Sequence, residues 1–348
     1  MNKFTIFLIA VFSLVLASCS RSPSGLKLGE EQLGEDEARH AKEMVDAIKS
    51  VSLNRHPSGK ILRFNQSKTL GCFKAQFQIL GDLEPNLRQG LFRQPATYPA
   101  QLRIANATKA DDTEKDFRGM SIKIHGVEGP ALWGLAGQQD FILNSYPRLF
   151  AANPEDFLSF IDAGKDGQLW KYFVNPSHFY SLGVVLKGRE KIDNPFGIRY
   201  WSTTPYRFGD DSSNAVKYST RPCSSVTFDS KIQRDENFLT EVMREQLNSG
   251  DACFDFMVQF QTDPDLMPIE DASVEWDESL SPFEKVAEIH IDNTPAAHMT
   301  ESCERMTFNP WQSLAAHRPL GGVNRARKLI YAEIGEFRSS RNRERQAN

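Results

Sequence analysis

Arg327, Tyr331 and Arg338 stand at positions i, i+4 and i+11 of a basic stretch late in the sequence, and at about 100° per helical residue they fall within roughly 40° of one another. A phenol flanked by guanidinium groups is where a phenolate becomes accessible, because nearby positive charge favours the ionised form. Such an anion is a hard oxygen ligand, suited to ferric iron. The same spacing also fits a solvated basic helix with a tyrosine half buried at its seam.

A helix over Val323–Ser340, opening after the turn Pro319-Leu320-Gly321-Gly322, must carry these residues. Ahead of it, short alternating segments such as Phe73–Ile79 and Gln101–Ala105 read as antiparallel strands, and further strands are expected at Val184–Leu186, Phe254–Phe260 and Val286–Ile291. Leu33, Ala41, Met44, Val45, Ile48 and Val51 recur at helical spacing, predicting an amphipathic helix from Glu30 to Val51; two more helices are expected near Pro154–Ala163 and Asn237–Leu247. The architecture is therefore α+β, a strand-rich body followed by helices.

The 348 residues, 40% hydrophobic and 25% charged, suffice for a large core. A formal charge of -4 gives no concentrated excess of Lys and Arg, which sets nucleic acid aside as a partner. At the N-terminus Lys3 precedes an apolar run from Phe4 to Leu16 that is too short to span a bilayer, and Leu16-Ala17-Ser18-Cys19 closes it in the manner of a bacterial lipobox. Residues 1–18 read as a lipoprotein signal peptide, Cys19 as the lipidated first residue, 19–29 as a flexible tether, 30–54 as a helical arm and 55–348 as the functional domain. Ser20 after Cys19 points to an outer-membrane anchor facing the periplasm. Cys72, Cys223, Cys253 and Cys303 match no zinc spacing and could form one or two disulfides in any pairing.

Arg327-Lys-Leu-Ile-Tyr331 with Arg338 resembles the proximal haem motif of catalases. The resemblance implies Tyr331 as axial ligand to the iron of haem b, Arg327 paired with its phenolate, and Arg338 against a propionate. Phe308-Asn-Pro-Trp311 and His317-Arg-Pro-Leu-Gly-Gly-Val-Asn324 look like the short, divergent members of that family. Arg63-Phe-Asn-Gln66 and Leu102-Arg103-Ile-Ala105 resemble its first strands, with Arg63 and Arg103 as further propionate partners. Asp116-Phe-Arg118-Gly119 is similar to another of its stretches. Asn144-Ser-Tyr-Pro147 resembles the distal Asn segment, and Phe157 falls where a Phe stacks near the haem. The implied fold is an antiparallel β-barrel core of catalase type, with an N-terminal helical arm and C-terminal helices.

The departure from the family lies on the distal side, where Gln66 replaces the histidine and Ala105 its supporting serine. An amide can hydrogen-bond a peroxide but does not titrate near neutrality, and losing a positioned acid–base group costs about 10² to 10⁴ in rate. His56 reads as a loop residue, His125 and His178 as ordinary packed or surface side chains, and His317 as a packing residue. Three functions follow. The first is an envelope oxidoreductase that breaks down hydrogen peroxide or an organic hydroperoxide, with Gln66, Asn144 and Arg327 at the reacting centre. The second is a non-catalytic haem carrier, sensor or scavenger. The third is a structural lipoprotein without haem, against which the retention of three arginines argues, because buried charges without partners are costly. The family also implies a homo-oligomer, although the exchanging arms have no evident counterpart in this shorter chain.

Overall fold

From Phe73 onward, residues of strand β1 (Lys68–Ile79) alternate strictly: Phe73, Ala75, Phe77 and Ile79 are buried while Lys74, Gln76 and Gln78 face out. That period of two is what a sheet with one core face demands. The structure, a computed structural model, describes residues 23–165, 167–223, 232–292 and 300–347. Cys19 and the expected signal peptide lie outside these residues.

β1 pairs antiparallel with β2 (Thr97–Asn106) on one side and β9 (Glu284–Ile291) on the other. The order then runs through β3 (Arg118–His125), β4 (Gln138–Asn144) and β5 (Tyr200–Trp201), and through β8 (Ala252–Phe260), β7 (Ala215–Pro222) and β6 (Tyr206–Arg207). β5 pairs with both β4 and β7, so the sheet closes into an antiparallel barrel with β6 attached at one edge. Closure removes the open edges that would otherwise template aggregation. The barrel interior is aromatic: Phe256 lies 5.1 Å from Phe77 and 4.8 Å from Phe141, which in turn meets Tyr218 at 4.8 Å. Such ring pairs add about 0.5–1.5 kcal/mol each beyond their buried area.

Helices form a second layer outside the barrel. Helix α1 (Glu37–Arg55) packs Met44, Val45 and Ile48 against Leu158 and Ile161 of α2 (Pro154–Lys165) and against Ala326 and Ile330 of the long C-terminal helix. Between the strands run α3 (Leu169–Val174), α4 (Phe179–Gly188) and α5 (Phe238–Ser249); after the last strand come the short α6 (Thr300–Arg305) and α7 (Gly322–Ala347). Among the described residues no helix is long and apolar enough to cross a membrane.

Three expectations are corrected. Val184–Leu186 belongs to α4 rather than to a strand: Val184 is buried and Leu186 exposed, and three apolar residues carry no period that separates helix from strand. The first helix starts at Glu37, not Glu30, because Asp36 is left-handed (φ 61°) and the preceding segment is drawn elsewhere. Arg325, at the start of α7, gathers Glu31 (2.6 Å), Glu37 (2.7 Å) and Glu270 (2.8 Å), which holds residues 31–37 along the body. Residues 24–29, expected in a free tether, dock as well: Ser24 donates its amide to Asp265 and Gly29 its amide to Gln261, both at 2.7 Å.

The four cysteines form two disulfides, Cys72–Cys303 and Cys223–Cys253. The first joins β1 to α6 across 231 residues of sequence.

Candidate functional site

A cavity lies between the outer face of the barrel and the helical layer, with about 1420 Å³ of empty space counted out to its open mouth. Strand alternation decides which barrel residues reach it. On β2 to β4, Leu102, Ile104, Met120, Ile122, Phe141 and Leu143 pack in the barrel core, so the intervening residues point the other way. Arg103, Ser121 and Ile142 sit directly opposite one another on the three strands and line the cavity as a row; Asn144, opposite Gly119, lies one step along.

From the helices come Met44 and Ile48 of α1, Phe157 of α2, and Val323, Ala326, Arg327, Ile330, Tyr331, Ile334 and Arg338 of α7. The α7 residues fall on one face, as their spacing predicts. The walls are thus largely apolar, with a few convergent polar groups, which is the usual make-up of a small-molecule site.

The residues assigned to the site from the sequence within the described region, Arg63, Gln66, Arg103, Asn144, Phe157, Arg327, Tyr331 and Arg338, all line this one cavity. Phe157 rests against Phe150 at 5.4 Å, and Phe150 also lines the cavity. Gln66 sits in the left-handed region (φ 56°) with its side chain over Gly119, where a Cβ would lie 2.1 Å from the Gln66 Cδ. Glycine at 119 therefore makes the room that the amide occupies. The Ser121 hydroxyl approaches Gln66 Oε1 at 3.4 Å, a contact no sequence pattern singled out.

The Arg327 guanidinium lies 5.6 Å from the Tyr331 ring centre and donates to Thr204 and Asn324, both at 3.2 Å. Burial pulls its pKa down, but the neighbouring Tyr331 and Tyr206 phenols outweigh this and hold it above the ordinary arginine value.

Arg63, Arg103 and Arg338 come from three separate parts of the chain and meet at Glu304. Arg63 Nη1 donates to its carboxylate at 2.7 Å, and Arg103 Nη2 and Arg338 Nη1 each stand 3.7 Å from it. Burial, then repulsion from Arg103 and Arg338, pushes Arg63 down to about 9; burial likewise brings Arg103 to about 10. Burial tends to raise the Glu304 carboxyl, but the surrounding arginines and the Thr69 hydroxyl overcome it and hold the pKa below the usual range. Sequence reasoning found the three arginines and missed Glu304, whose partners lie 34 or more residues away in the chain.

Among the described residues no histidine lines the cavity. His56 terminates α1, with its carbonyl accepting from Arg345 at 3.0 Å. His125 pairs with Gln101, and His178 stacks on Tyr172 at 4.0 Å beside Asp156. His317 is fully buried, accepting the Leu91 amide on Nε2 (2.9 Å) and pairing with the Tyr218 hydroxyl through Nδ1 (3.0 Å). Ala105 is buried between Thr69 and Gly119 and does not line the cavity. No group of three or more His, Cys, Asp or Glu side chains able to hold a bare metal ion occurs among the described residues.

No protein-family model matches the sequence, and a search of curated proteins finds no relative. The fold has clear counterparts among solved structures. The chain superposes on catalase A from Saccharomyces cerevisiae with a TM-score of 0.65 at 16% identity over 85% of its length, covering 64% of that protein. A fungal catalase gives a TM-score of 0.66 at 15% identity, covering 83% of this chain and 61% of that one. A bacterial catalase gives 0.63 at 14% identity, covering 93% and 64%. The chain therefore has a catalase-like fold and spans less than two thirds of the length of these structures.

Proposed function

We propose that this chain binds haem b in the cavity between barrel and helices and acts there on hydrogen peroxide or an organic hydroperoxide. The observation that carries the reading is the convergence, in one apolar-walled cavity, of a phenol with a guanidinium over its ring and a trio of arginines. This donor set fits haem: an oxygen ligand for ferric iron, apolar walls for the macrocycle and guanidiniums for its carboxylates. Among the described residues no cysteine or histidine, the ligands that soft or imidazole-seeking metals prefer, lines it.

In this reading Tyr331 would hold the iron through its phenol oxygen, with the guanidinium of Arg327, itself held by Thr204 and Asn324, over its ring. Arg63, Arg103 and Arg338 receive the carboxylates, and Phe157 packs beside the ring. Haem, when bound, supplies the iron at which a peroxide O–O bond is cleaved. On the barrel side Gln66 and Asn144 present amides that orient the substrate by hydrogen bonds. Neither can take the peroxide proton, so turnover would be slow beside that of a site with a positioned base. The Gln66 amide, which cannot act as a base and whose oxygen meets the Ser121 hydroxyl at 3.4 Å, favours as second reading a haem-binding protein without turnover. Lipidation of Cys19 would hold either form at the envelope, periplasm-facing, and self-association into a homo-oligomer is part of the same proposal.

The deciding experiment is the absorption spectrum of the haem-reconstituted protein beside Tyr331→Phe, followed by mixing with hydrogen peroxide. A high-spin ferric spectrum of tyrosinate type that the variant lacks supports haem and ligand together. Peroxide decay no faster than with free haem would leave the binding reading and remove the enzymatic one.

A further inference from the structure

Glu304 is the acidic group that the three arginines share, yet it does not line the cavity that they do. Its carboxylate is therefore not among the groups that line the cavity. Arg63 is bound to it most completely: Nη1 reaches the carboxylate while Nη2 donates to the carbonyls of Cys303 (3.0 Å) and Met306 (2.9 Å). Arg338 Nη1 donates to the Glu304 carbonyl at 3.0 Å. Arg103 is joined through Thr69, whose hydroxyl accepts from Arg103 Nη2 at 2.8 Å and donates to the Glu304 carboxylate.

The acid is itself fixed. Cys303, its neighbour in α6, is disulfide-bonded to Cys72 of β1, three residues beyond Thr69. Covalent and hydrogen-bonded links therefore tie the same two segments. Three guanidiniums drawn this close in a partly buried place repel one another and disperse unless an anion lies among them. Against one carboxylate they retain two positive charges.

We propose that Glu304, held by the Cys72–Cys303 disulfide, is a positioning residue that gathers Arg63, Arg103 and Arg338 toward the cavity and leaves them matched to a ligand with two carboxylates at one edge. This rests on the haem reading for its ligand, but the gathering of the arginines does not depend on it. Charge-assisted contacts reward geometry as well as charge, so guanidiniums that have spread apart discriminate less between a diacid and its neutral ester.

The test compares wild type with Glu304→Gln and Glu304→Asp in two measurements on the intact chain. The first is titration of the haem-free protein with ferric protoporphyrin IX and with its dimethyl ester, followed by absorption. Wild type is expected to prefer the diacid by about tenfold or more; Glu304→Gln is expected to lose most of that preference while its affinity for the ester stays within about twofold, and Glu304→Asp to recover part of it. The second needs no ligand: the rate at which phenylglyoxal modifies Arg63, Arg103 and Arg338, read by mass spectrometry, is expected to rise about fivefold or more in Glu304→Gln and by a smaller factor in Glu304→Asp.

A preference for the diacid that is kept or increased in Glu304→Gln, or a fall in both affinities together, overturns the proposal. Unchanged modification rates do so too. If wild type binds neither compound, the haem reading fails, and the modification rates alone decide whether Glu304 gathers the arginines. Should Glu304→Gln not fold, rates in Glu304→Asp equal to those of wild type still count against it.

Discussion

Arg327 and Tyr331, one helical turn apart on α7, place a guanidinium 5.6 Å from the centre of a phenol ring at the wall of the cavity. The guanidinium is not free to leave, because Thr204 and Asn324 hold the same nitrogen, and Asn324 is in turn bound to the Pro205 and Leu320 carbonyls. A strand-connecting segment and a helix start therefore aim one cation at one phenol. The rest of the site is arranged around that pair.

Replacing Arg327 with Lys keeps the charge but loses the planar fork that reaches Thr204, Asn324 and the ring at once. The expected result is a destabilisation of about 1.5–3 kcal/mol, the range for hydrogen bonds to charged groups. A shifted ferric spectrum should accompany it in the reconstituted protein. Urea unfolding and absorption check the two separately; an unchanged spectrum would mean that Arg327 supports the fold only.

At Gln66 the left-handed backbone and the space over Gly119 admit a histidine, a residue type enriched in that conformation. Gln66→His should raise the rate of peroxide breakdown by roughly 10²-fold, the lower end of what a positioned acid–base group contributes. Oxygen evolution measures it. No gain would show that something other than the missing base limits turnover.

The Cys72–Cys303 bond closes a loop of 231 residues in sequence separation. The double variant Cys72→Ser, Cys303→Ser is expected to lose about 2–5 kcal/mol, as is usual when a native disulfide is removed. Equilibrium denaturation of the oxidised wild type and the variant gives the difference. A loss well below that range would mean that α6 stays docked through Glu304 alone.

His317 supplies a pH dependence. Burial pushes its pKa down to about 3, against about 6.5 for a free imidazole. The neutral ring is the one that accepts the Leu91 amide. Below about 6.5 the unfolded chain binds a proton that the folded chain refuses, so this contribution is intact above that pH and is lost as pH falls toward 3. The slope is about 1.4 kcal/mol per pH unit within the window. The difference in unfolding free energy between wild type and His317→Gln, measured from pH 7 to pH 5, should shrink as the pH is lowered; a constant difference would refute the assignment.

What the sequence determined by itself is local in origin. The period of α7 put Arg327, Tyr331 and Arg338 on one face before any fold was known, since 3.6 residues per turn is a property of the chain alone. Alternation in β1 marked its core side in the same way, and ordered resemblance over separate segments carried the remaining cavity residues, Arg63, Gln66, Arg103, Asn144 and Phe157, to one place. Tertiary structure alone decided the partners of those residues. Cys72 could have paired with any of three cysteines, Glu304 had no pattern to distinguish it among many acids, and Ser121 looked like any strand serine. Val184–Leu186 became a helix, and residues 24–29 lay down on the body instead of swinging free. For the cysteines, Glu304, Ser121 and residues 24–29 the deciding contact is made with residues far away in the chain, where closure of the barrel and docking of the helices set distances that no local period encodes; for Val184–Leu186 three apolar residues were simply too few to show a period.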